Sequence, residues 1–161
     1  MVNRKIGKTY NDITVVFTWY GQELHLYNQM EFYNRMMQKY PCRPRVIVVN
    51  DGHEEGREFF RKTIEVHRSR FDLTGIDVMQ DIGFNSHACR NLAMKYVKTD
   101  WALVIDADTY ESPGMFYHLR FEKELKDNMY YVPKGDMEVP EDMTSYELLD
   151  PKGIVKYKTH P

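Results

Sequence analysis

Residues 101–110, WALVIDADTY, form an unbroken apolar run that ends in two aspartates separated by one alanine. A run of this length without polar alternation predicts a strand buried on both faces, as in a parallel sheet, with Asp106 and Asp108 at its carboxyl end. In an extended chain residues two apart project to one side, so both carboxylates aim into a single crevice. Like charges at that spacing need a cation or hydrogen-bond donors to offset them. A hard divalent ion bound through oxygen, Mg2+ or Mn2+, meets that need while carrying substrate phosphates. The competing reading is that Asp-x-Asp simply leaves a strand into a solvated turn, and so short a motif does not decide between the two.

The chain on either side favours the first reading. Residues 13–17 (ITVVF) predict a first buried strand with an exit loop at Thr18, Trp19, Tyr20 and Gly21. Over 22–39, Leu26, Met30, Tyr33 and Met37 recur at helical spacing, with Tyr40 next, before a breaker at 41–44. Residues 45–49 (RVIVV) give a second strand, closed by a turn at Asn50, Asp51 and Gly52. A weaker helical stripe, Phe59, Phe60, Ile64 and His67, runs through 53–70, and 76–80 read as a third strand. Asn85 or Ser86 then caps a helix carrying Ala88, Leu92, Ala93 and Tyr96. Strand and helix alternating four times predict an open α/β fold with a largely parallel sheet, flanking helices and right-handed crossovers. Ligands bind such sheets at the carboxyl ends of the strands, where the loops 18–21, 50–52 and 106–108 all fall.

Composition excludes several classes. At 161 residues the length suits one domain, and a 42% hydrophobic fraction with 14% aromatics suits a packed core rather than disorder. A net charge of -2 leaves no basic footprint for nucleic acid. Cys42 and Cys89 lack metal-ligand spacing and define no disulfide framework. The N-terminal stretch has no apolar h-region, and no run is long enough for a transmembrane segment, so a reducing, cytoplasmic location is the expectation. His87 and Cys89, two apart on a helix, point in different directions; His25 and His67 read as structural, and Gly52 as a turn residue. No G-x-G-x-x-G or G-x-x-x-x-G-K-[ST] follows a strand.

Four segments taken together, TWYG, VVNDGH, GFNSHACRN and VIDAD, resemble the nucleotide-sugar-binding half of family 2 glycosyltransferases of the GT-A fold. That family reads roughly P-T-Y-N, V-D-D-G-S, N-x-G-x-x-x-A-R-N and D-x-D in this order, and the resemblance covers about residues 13–110. The sequence departs from the pattern at Phe17, Gly21, His53 and Asp81, which replace proline, asparagine, serine and asparagine and leave the base preference open. The resemblance implies a Rossmann-like, nucleotide-diphospho-sugar transferase fold in a single domain over 1–161, with 13–110 as its nucleotide-sugar core.

It also implies roles. Thr18 and Tyr20 would contact the nucleobase, the tyrosine through its ring face. Asp51 would accept from the base imide N–H, making a UDP-sugar the expected donor; the alternative is that it caps the next turn. Arg90 would face the phosphates in bidentate fashion, against the alternative of a surface salt bridge. Asp106 would touch ribose and metal, and Asp108 the Mn2+ or Mg2+ that bridges the diphosphate and stabilises the leaving charge. Transfer would be inverting.

Beyond Tyr110 the resemblance ends. Residues 113–126 predict a helix with proline in its first turn, 129–132 (MYYV) a strand, and 153–157 an edge strand. Family members continue into an acceptor-binding half that supplies the general base; 111–161 would be a partial acceptor-side or tail region. None of its carboxylates matches that base, so no catalytic residue is identified, and His160 as a metal ligand has no supporting context. A truncated chain, a natural short form and half of a complex are all compatible with this. The expected function is metal-dependent transfer of a sugar from a nucleoside diphosphate to an unknown acceptor. The alternative is a non-catalytic nucleotide-sugar-binding or interaction module. A nucleotidyltransferase ranks last for want of a basic, glycine-rich loop after the first strand. Apolar surface around MYYV and the tail would promote self-association.

Overall fold

The structure is a computed structural model that describes residues 12–40, 43–111, 113–117, 119–120 and 125–126. Its elements run β1 (Ile13–Trp19), α1 (Glu23–Lys39), β2 (Arg45–Asn50), α2 (Arg57–Arg68), β3 (Leu73–Asp77), α3 (Ser86–Met94), β4 (Trp101–Val104) and α4 (Pro113–Tyr117). The four strands pair in the order β3-β2-β1-β4, and every pair is parallel. The predicted open parallel α/β sheet is therefore the one observed.

β1 is one of the two inner strands, paired with β2 and β4, and all seven of its residues are buried. Alternate side chains serve opposite faces. Val15, Phe17 and Trp19 join Val46 and Val48 of β2 in a core completed by Leu26, Met30, Phe32, Tyr33 and Met36 of α1 and Phe60 of α2. Val16 joins Ile47 and Val49 in a smaller cluster under Cys89 and Ala93 of α3. Each large apolar side chain buried this way contributes about 1.5–3 kcal/mol, so the α1 face is the main anchor of the sheet.

Several boundaries differ from expectation. β1 continues through Thr18 and Trp19, which pair with Val49 and Asn50, because the Trp19 indole is fully buried and its Nε1–H donates to Gln22 O at 2.7 Å. β3 begins three residues earlier than predicted and ends at Asp77. Leu73 reaches the core, and Gly75 lets α2 approach, since a Cβ there would lie 2.7 Å from Ile64 Cγ1. β4 is half-buried rather than buried on both faces, because it pairs only with β1 among the described residues. α3 buries Ser86, Cys89 and Ala93, while Ala88 and Tyr96 are exposed. Small side chains suit a helix lying against both β1 and β2. Of the predicted helix over 113–126, Pro113–Tyr117 is α-helical, and residues 125–126 are described but not helical. The strands predicted at 129–132 and 153–157, and Cys42 and His160, lie outside the described residues.

Candidate functional site

The exits of β1, β2 and β4 meet at one edge of the sheet. Thr18, predicted in the exit loop, lies instead inside β1 and is buried. Tyr20 is the first residue past the strand, and its hydroxyl donates to Asp81 at 3.3 and 3.4 Å. Asp81 Oδ1 also accepts from Gly83 N at 2.8 Å. Tyr20, His53, Glu54, Glu55 and Asp81 line a cleft of about 300 Å3.

Two departures from the family pattern are physically linked here. The His53 ring stands edge-on to Trp19 and Tyr20, with centroids 5.7 and 5.0 Å away, and its Nδ1 accepts from Gly56 N at 3.0 Å. A Cβ on residue 21 would come within 2.8 Å of His53 Nε2, and Gly21 has φ +75°. An imidazole at 53 thus calls for glycine at 21.

Asp51 is 2% exposed. One carboxylate oxygen accepts from Asn85 N at 2.5 Å and the other from Cys89 Sγ at 3.0 Å, so the side chain ties the exit of β2 to the first turn of α3. A carboxylate has about four lone-pair sites, so two bonds do not exhaust it. Burial, followed by Asp51, pushes the Cys89 thiol up to about 12. Asn85 is the α3 N-cap, its side chain accepting from Ala88 N at 3.3 Å. Asn50, expected in the turn, ends β2 instead; its amide bridges the backbone of His53 and the Asp77 carboxylate, 2.9 Å away. Gly52, at φ +78°, is a turn residue as expected, and a Cβ there would meet Gln80 O at 2.4 Å.

Arg90, on α3, forms an ion pair with Asp106, joining two residues of the predicted phosphate and metal set. The chain is not extended between the aspartates. Thr109 N donates to Asp106 O at 3.1 Å, so Asp106 and Asp108 sit at the first and third positions of a turn. The Asp106 side chain is 70% exposed and Asp108 is also exposed. Among the described residues no group of three or more His, Cys, Asp or Glu side chains is placed to hold an ion. Two exposed carboxylates fit a hard cation that takes its other ligands from phosphate and water, not an all-protein cage. Sequence reasoning missed Gln29. This fully buried residue of α1 donates through Nε2 to Ala107 O at 3.2 Å and Thr109 O at 2.5 Å. Its helical phase beside Leu26 and Met30 was the only available signal.

No protein-family model matches the chain, and no curated protein matches it. Solved structures do. S. aureus TarS 1–349 aligns at 21% identity with a TM-score of 0.51, covering 62% of this chain and 28% of that one, and its complex with UDP gives the same figures. The mannosyltransferase PcManGT from Pyrobaculum calidifontis, in complex with GDP-Man and Mn2+, aligns at 22% identity over 61% of this chain and 28% of its own, with a TM-score of 0.49. No helix among the described residues is long and apolar enough to cross a membrane. The chain spans little more than a quarter of TarS 1–349, and its parallel sheet with flanking helices matches the GT-A-like fold of that neighbour.

Proposed function

We propose that this chain forms the donor-binding part of a family 2-type glycosyltransferase that takes a sugar from a UDP-sugar, with Mn2+ or Mg2+, and passes it with inversion to an acceptor. The observation that carries this reading is the meeting of the β1, β2 and β4 exits at one sheet edge, with Arg90 of α3 paired to Asp106. Tyr20 offers the nucleobase a ring face beside the cleft, Thr18 supports it from the end of β1, and Asp51 has lone pairs left for an imide N–H. Arg90 exchanges Asp106 for the diphosphate, whose oxygens match its fork. A divalent cation held by Asp106 and Asp108 would stabilise charge on the leaving diphosphate. The same fold holds UDP in the TarS 1–349 complex.

Calorimetry with UDP, GDP, TDP and ADP, in Mn2+ and in EDTA, tests the reading. UDP binds best and in a metal-dependent way, and Asp108→Ala removes the metal dependence. Equal UDP affinity in Mn2+ and EDTA refutes it. Donor binding without acceptor-dependent product, followed by mass spectrometry over an acceptor panel, supports the alternative of a non-catalytic binding module.

A further inference from the structure

Building on the donor-site reading, we propose that Gln29 is a positioning residue that sets the Asp106 and Asp108 carboxylates for their ligand. Its side-chain amide spans two carbonyls of one turn, Ala107 O before Asp108 and Thr109 O after it. Ala107 O belongs to the peptide unit before Asp108, the Thr109 N–H that donates to Asp106 O belongs to the unit after it, and Thr109 O belongs to the next, so the amide and the turn bond together fix the direction in which the Asp108 Cα–Cβ bond leaves the backbone. The Thr109 N–H to Asp106 O bond closes the same turn, so Asp106 is held with it. On the far side Tyr110 packs edge-on against Phe32 of α1, with centroids 5.5 Å apart.

Stability alone does not account for glutamine here. Residue 29 is fully buried, and its Oε1 has no hydrogen-bond partner. An unsatisfied buried acceptor is destabilising, and an apolar side chain would fill the same helix face beside Leu26 and Met30 without that defect. The amide is explained by the N–H groups it delivers to the turn. Glutamate has the same shape but would set a carboxylate against two carbonyl oxygens.

The test compares the wild type with Gln29→Met and, should that variant not fold, Gln29→Glu. Amide exchange over 106–110 is read by mass spectrometry, and UDP binding by calorimetry in Mn2+ and in EDTA. With two hydrogen bonds lost, exchange in the turn rises about tenfold or more and the Mn2+-dependent gain in UDP affinity falls by about tenfold, while affinity in EDTA is unchanged. In an Asp108→Ala background Gln29→Met has no further effect, because both substitutions act on one interaction. Unchanged exchange over 106–110, an equal loss of affinity in EDTA, or additivity with Asp108→Ala overturns the proposal. If the wild type binds no nucleotide in Mn2+, the donor-site reading fails, and the exchange measurement still decides whether Gln29 holds the turn.

Discussion

Asp51→Asn removes one charge at a position where shape is preserved, and the structure sets the size of the effect. The carboxylate is 2% exposed and accepts from the Asn85 backbone N–H and the Cys89 thiol. An amide can present its oxygen to only one of these donors and must turn its NH2 toward the other. Losing a buried hydrogen bond to a charged acceptor costs about 1.5–3 kcal/mol. For a chain of this size that corresponds to a melting temperature lower by about 3–12 °C. Urea unfolding should show a lower midpoint with an unchanged slope, since the surface exposed on unfolding is the same. Asp72→Asn is the control: its carboxylate is 65% exposed, pairs with Arg45 at 3.1 Å and should change stability by less than about 0.5 kcal/mol. UDP affinity is measured on the same samples. Loss of both stability and affinity means that Asp51 holds α3 and the base; loss of stability alone means that it serves α3 only. If Asp51→Asn is no more destabilised than Asp72→Asn, the reasoning from burial and hydrogen bonding is wrong.

Arg90→Ala should weaken UDP by about tenfold or more while leaving uridine affinity unchanged, because the guanidinium is assigned to the diphosphate; equal losses for both ligands in calorimetry would reassign it. Because its pKa is pushed up to about 12, the Cys89 thiol stays protonated in the native state well above the ordinary thiol range. Above about pH 9 the unfolded chain releases this proton while the folded chain keeps it, so stability falls as pH rises from about 9 toward 12. Cys89→Ala should flatten that part of the melting-temperature profile, and native protein at pH 8 should take up iodoacetamide at Cys89 only after unfolding. Rapid native alkylation located at Cys89 by mass spectrometry would contradict both statements.

The parts of the fold legible in the sequence were those in which one strand's own residues carry the signal. The β-branched runs of β1 and β2 are buried on both faces, and such burial leaves no polar alternation to mislead. β3 begins three residues before the stretch that the sequence marks as strand, because Leu73 and Gly75 mean strand only in the company of the β2 partner and the Ile64 side chain of α2. β4 has the composition of a central strand, but its place beside β1 at the end of the order is a property of topology. The candidate site divides in the same way. Its loops could be found from strand ends and polar residues, whereas the turn at 106–109 depends on Gln29, 78 and 80 residues away from the carbonyls it binds. Gly21 and His53 were both visible as departures, but that one ring excludes a Cβ at the other position appears only once β1 and β2 are side by side.

The two ends of the proposed donor site draw their rigidity from different sources. The nucleobase side leaves from β1 and β2, the most buried strands, and is locked by Asp51 to α3 and by Asn50 to Asp77. Arg57 and Arg61 of α2 close on the same Asp77 carboxylate at 3.3 and 2.7 Å, which pins the β3 exit against the helix. The carboxylate turn instead follows β4, whose last residue, Val104, is 44% exposed. Strand pairing alone cannot fix that turn, so its order comes from α1 through Gln29 and the Phe32–Tyr110 contact. Helix α1 is itself fixed by its buried face on the core of β1 and β2, so that face and the 106–109 turn form one mechanical unit. A core substitution on α1 such as Met30→Ala therefore disturbs the carboxylate pair, whereas one on α3 such as Ala93→Gly disturbs Arg90 and Asp51, and the Arg90–Asp106 ion pair is where the two units meet.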